Sequence, residues 1–100
     1  MASAKEVLEK KKGPLTFGRT LKAWRLGENL TQKELAVKVM VTEAAVSRFE
    51  NGHDLPTAST LKRIARVLKA DEEMFVIFIV RDMLKKKGFK DIELIAKKAI

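Results

Sequence analysis

Along these 100 residues the side chains able to do covalent or acid–base chemistry are few and scattered. The chain has no cysteine, which removes thiolate nucleophiles, disulfides and thiolate metal sites. His53 is the one histidine, and it has no ligand partners near it in sequence. Glu43, Glu50 and His53 stand close together, but no nucleophile–base pair or metal constellation surrounds them, so no enzyme, no metal and no cofactor is expected. What remains is hydrogen-bonding chemistry. Glu43, Ala44, Ser47 and Arg48 are spaced to share one face of a helix, whereas Val46 and Phe49 share the other. The outer set combines a carboxylate, a hydroxyl and a guanidinium whose fork can satisfy two acceptors at once. The inner set must be core.

That face needs elements to hold it, and the chain supplies start and stop signals for several short helices. Thr16 can cap a first helix in which Phe17, Leu21 and Trp24 recur on one side, with Gly27 and Asn29 at its end. Thr31 and Glu34 form a capping box at the head of a second, Gln32–Val39, whose Leu35, Ala36 and Val39 face inward. A break falls at Met40-Val41, because Thr42 is a further N-cap before a third periodic segment, Glu43–Glu50, that Asn51-Gly52 stops. Pro56-Thr57 opens a fourth, with Leu61, Ile64, Ala65 and Leu68 at helical spacing. The segment from Asp71 to Lys87 is ambiguous by propensity, since Phe75 to Val80 is β-branched and aromatic enough for a strand. The acidic turn Asp71-Glu72-Glu73, the lysines near its end and Gly88 favour a helix. A short final helix is expected from Asp91 to about Ala99.

One modest domain is what this length allows, and 46% apolar with 34% charged residues belongs to an ordinary globular chain. The apolar run Met74 to Val80 is far short of the roughly 20 residues of a membrane-spanning helix, and no signal-peptide pattern opens the chain, so the expectation is a cytoplasmic protein with no membrane contact. The net charge of +8 is concentrated at the ends: residues 1–20 carry +3, residues 81–100 carry +4 and the middle 60 only +1. Such lysine runs read first as solvated surface and support nucleic-acid binding only weakly. Residues 1–15 read as a mobile basic arm, closed by Gly13-Pro14.

Two short helices, Gln32–Val39 and Glu43–Asn51, joined by about three residues have the layout of a helix-turn-helix, in which the second helix enters the major groove and the first lies across the backbone. The stretch Leu30-Thr31-Gln32-Lys33-Glu34-Leu35-Ala36, then Val41-Thr42, Val46-Ser47-Arg48-Phe49-Glu50-Asn51-Gly52, Pro56 and Thr60-Leu61 resembles the phage repressor/Cro (XRE-type) helix-turn-helix family over roughly Phe17 to Phe75. The resemblance implies an all-α bundle of five short helices that binds double-stranded operator DNA, usually as a homodimer on a palindrome. It places Glu43, Ala44, Ser47 and Arg48 at base-reading positions, with Arg48 able to take guanine O6 and N7 bidentately. It places Gln32, Thr42 and Asn51 at phosphates, with Lys22, Lys33 and His53 as peripheral contacts. Arg25 and Glu50 match a partly buried ion pair that braces the recognition helix. Met40 departs from the family, which has glycine at this left-handed position.

On this reading residues 16–75 form the DNA-binding domain and 76–100 a helical extension. The apolar residues Val76, Ile77, Phe78 and Ile79 then exceed what one core contact can use, and a dimer seam is the economical cover. The expected function is a transcriptional repressor. The rival is an antitoxin that sequesters a toxin protein and represses its own operon. An RNA-binding role is disfavoured by the lack of an exposed aromatic platform.

Overall fold

A computed structural model describes residues 16–88 as five helices: α1 (Phe17–Gly27), α2 (Gln32–Val39), α3 (Glu43–Glu50), α4 (Ala58–Leu68) and α5 (Glu72–Lys86), with no strand among these residues. The basic arm (1–15) and the helix expected from Asp91 lie outside the described residues.

Each helix begins on a side chain that replaces a missing backbone acceptor. Thr16, Thr31, Thr42, Thr57 and Asp71 accept from the amides of Arg19, Glu34, Ala45, Thr60 and Glu73 respectively. At the head of α2 the box is reciprocal, with Thr31 N–H donating to Glu34 Oε1 at 2.9 Å. The ends repeat one device. After α1, α2, α3 and α4 a residue turns left-handed, and the next amide reaches back to the carbonyl five residues before it: Leu30 to Arg25, Val41 to Ala36, His53 to Arg48, Ala70 to Ala65. The left-handed residues are Asn29, Met40, Gly52 and Lys69, so only one of the four is the glycine that such a position favours.

The core lies where α1 packs on α3 and α5, α2 on α3 and α4, and α4 on α5. Phe17, Leu21, Leu35, Val39, Val46, Ile64, Leu68 and Phe75 are fully buried in it. Phe17 and Phe75 meet edge-to-face, ring centroids 5.7 Å apart, and tie the first helix to the last. Trp24 packs against this cluster partly buried.

Helix wins over strand at 75–80 for reasons of magnitude. Four β-branched residues in that run cost up to about 0.7 kcal/mol each relative to alanine. Burying Phe75 alone returns about 1.5–3 kcal/mol, and Met74, Phe78 and Ile79 add partial burial against the same core. The boundary drawn from sequence between 75 and 76 falls inside this continuous helix, and the helix stays attached beyond it. Asp82 accepts a hydrogen bond from Phe17 N–H at 2.9 Å, at the head of α1, and Lys86 Nζ donates to Gly52 O at 3.3 Å.

Candidate nucleic-acid interface

The interface is built on α3, and what fixes α3 is a buried charge cluster beneath it. Arg25 on α1 donates from Nε to Glu50 Oε2 (2.6 Å), from Nη2 to Glu50 Oε1 (3.0 Å) and from Nη1 to Leu30 O (2.7 Å). Gln32 Nε2, at the head of α2, donates to the same Glu50 Oε1 at 3.0 Å. Arg25 and Glu50 are buried and each of the three guanidinium nitrogens donates a hydrogen bond, which is the condition under which a buried pair holds geometry rather than merely costing desolvation. Three elements thus meet on one carboxylate, and the angle between α2 and α3 is set there. Gln32 is therefore tied to this brace as well as standing at the phosphate position implied for it.

Close packing sets the depth. A Cβ on Gly18 would lie 2.4 Å from Glu50 O and 2.6 Å from Phe49 O, so α1 touches the C-terminal end of α3 backbone to backbone. On the inner face of α3, Val46 and Phe49 are buried. On the outer face Glu43, Ala44 and Arg48 are exposed and Ser47 is half-buried. Thr42 is exposed beside them, and because its oxygen accepts from Ala45 N, its hydroxyl proton remains available for an outside acceptor.

The end of α3 is more occupied than the sequence suggested. Asn51 Nδ2 donates to Ser47 Oγ at 3.3 Å. Arg48 donates from Nε to Asp54 Oδ2, and its Nη2 lies 3.4 Å from Oδ1. The hydrogen bond between them holds the Asp54 carboxyl below the ordinary carboxylate range and pushes the Arg48 guanidinium up, so the pair is fully charged at neutral pH. His53 is exposed in the turn after α3, whereas Lys22 and Lys33 are exposed on α1 and α2. Among the described residues no three His, Asp or Glu side chains converge on a metal position.

The four residues of the expected dimer seam are divided. Val76 and Ile77 are 41% and 57% exposed, but Phe78 and Ile79 pack against the core, and Arg81 lies over the Phe78 ring. The exposed apolar stripe of α5 is instead Val76, Ile77, Val80 and Met83.

Four residues escaped the sequence reading: Asp54, Asp82, Gly18 and Arg63. Arg63 Nε donates to Val39 O at 2.9 Å and so closes the end of α2. For Asp54 a signal existed, because an acid just beyond an Asn-Gly turn is carried back toward the helix it follows.

A short helix with a polar outer face, clamped from below and entered through a tight turn from a helix lying against it, defines a helix-turn-helix domain. The helix-turn-helix family profile matches residues 21–75, more than half of the chain. The chain belongs to that family, in its XRE-type branch. It is 39% identical over 59 residues to the HTH-type transcriptional repressor RghR of Bacillus subtilis, covering 58% of this chain and 44% of that protein. It is 36% identical over 52 residues to the HTH-type transcriptional activator BcrR of Enterococcus faecalis, covering 52% of this chain and 26% of that protein. The chain thus spans less than half the length of these relatives. The crystal structure of the clp gene regulator ClgR from Corynebacterium glutamicum shares the fold, with a TM-score of 0.59 at 21% identity over 88% of this chain and 97% of that one.

Proposed function

We propose that this chain binds operator DNA sequence-specifically as a homodimer and represses transcription by occupying a palindromic site. The observation that carries the reading is the two-sidedness of α3: buried and braced beneath through Val46, Phe49 and Glu50, open and polar above through Glu43, Ala44, Ser47 and Arg48. A braced helix of this kind fits the major groove, which is about 12 Å wide. There Arg48 takes guanine O6 and N7, Glu43 accepts from a cytosine amino group and Ala44 meets a thymine methyl. The Thr42 hydroxyl, Asn51 and the head of α2 at Gln32 face phosphates, with Lys22, Lys33 and His53 around them. Of the two relatives, RghR is named a repressor and BcrR an activator, and the sense proposed is that of RghR. The dimer is supported by the exposed stripe on α5 and by the two-fold symmetry of palindromic sites.

Selection of bound duplexes from a random pool at near-physiological salt tests this. The expected result is a two-fold symmetric sequence with half-sites about 34–36 Å apart, one helical turn. Recovery of unselected sequences would overturn the reading. On the selected site, Arg48→Ala is expected to lower specific affinity far more than affinity for random duplex, whereas Lys33→Ala lowers both alike and reduces the salt slope by about 1.

A further inference from the structure

Arg48 enters the interface already paired. The chain reverses at Gly52 (φ +78), and the amides of His53 and Asp54 both donate to the carbonyl oxygen of Arg48, at 2.9 and 3.4 Å. The backbone thereby returns the Asp54 side chain to the arginine it follows. Lys86 of α5 fastens the same turn through Gly52 O, and His53 and Lys86 both lie near enough to act on the charge of Asp54.

The two side chains are 56% and 48% exposed, and an ion pair in that setting adds little to folding stability. Its consequence is orientation. A guanidinium holds five N–H groups in one rigid plane. The edge made by Nε and Nη2 faces the carboxylate, which leaves the end edge of Nη1 and Nη2 on a half-exposed side chain free to take another acceptor pair. That end edge is a fork able to take O6 and N7 of guanine together. Resting on the reading of α3 as the groove helix, we propose that Asp54 is a specificity-determining positioning residue, which holds Arg48 so that its free edge meets the base and makes this half-site position read guanine.

A carboxylate beside phosphates weakens binding to every sequence alike, so orientation and repulsion have opposite signatures. Ordering one long side chain before binding is worth about two- to tenfold in affinity, and only where that side chain makes its specific contact. Asp54→Asn removes the charge at nearly constant shape. The experiment measures dissociation constants of the unmodified chain, Asp54→Asn, Arg48→Ala and the double variant on the selected duplex and on its single-base substitutions. Asp54→Asn is expected to cut the preference for guanine at one half-site position by about two- to tenfold while tightening random duplex. Arg48→Ala abolishes the preference at that same position, the double variant matches Arg48→Ala in base preference while binding all duplexes more tightly, and the melting temperature of Asp54→Asn is unchanged. Equal tightening on all sequences, or base preferences of Asp54→Asn and Arg48→Ala that fall at different positions, would overturn the assignment of Asp54 alone. Absence of any base preference in the unmodified chain overturns both this assignment and the DNA-reading proposal beneath it.

Discussion

Met40 sits at φ 62, ψ 45 between α2 and α3, with its side chain 72% exposed. A left-handed conformation costs a residue with a Cβ about 1–2 kcal/mol, and glycine loses about 0.5–1 kcal/mol in chain entropy. The first figure is the larger, so Met40→Gly is expected to stabilise the domain by about 0.5–1 kcal/mol, raising the melting temperature followed by circular dichroism by about 2–8 °C. An unchanged or lowered value would mean that the methionine side chain contributes more than its exposure suggests. Glu50 is the opposite case. Glu50→Ala leaves Arg25 buried without its carboxylate, at a cost of about 3–5 kcal/mol, visible as a large fall in the urea midpoint. At this scale the residues that write their role in type and spacing were legible: the caps Thr16, Thr31 and Thr42, the capping box, and the inner and outer faces of α3. The partnership of Arg48 with Asp54 was not, because a side chain's choice between water, base and a nearby acid depends on where a turn points it.

Between elements, α1 meets α3 backbone to backbone at Gly18. The atoms that a Cβ on Gly18 would strike are the backbone carbonyls of Phe49 and Glu50, which cannot swing aside. Gly18→Ala is therefore expected to push the helices apart and cost about 3 kcal/mol, the upper end for overpacking. It should lower the urea midpoint with little change in slope, since the area exposed on unfolding is nearly the same. A neutral outcome would show that α1 can slide. Helix order and starts were readable because the head of each helix carries its signal, whereas α2 and α4 end on Met40 and Lys69, which announce no stop. The docking of α5 was not readable. Phe75 is continuous in sequence with exposed Val76 and Ile77, and a run of apolar residues does not say which of them a neighbouring helix will cover. Asp82 was silent for a related reason: its partner is the head of α1, 65 residues away.

Across the whole molecule the proposed seam is the stripe Val76, Ile77, Val80 and Met83, whereas Phe78 packs partly buried against the core. Ile77→Glu is expected to yield monomers of unchanged helicity in sedimentation velocity, with weaker binding to the two-fold site. Phe78→Glu is expected to lower stability as well. A dimer that survives Ile77→Glu would move the seam elsewhere. The bond from Phe17 N–H to Asp82 also bears on how the chain is made. At about 5–20 residues per second, a ribosome needs about 3–13 s to add the 65 residues between them. The α2 and α3 pair, whose contacts are near neighbours in sequence, emerges well before α5. During most of those seconds Phe17 has no Phe75 ring to pack against it. The newborn protein therefore holds α3 over an unsealed floor, and the Phe17 side chain is where a chaperone would bind it.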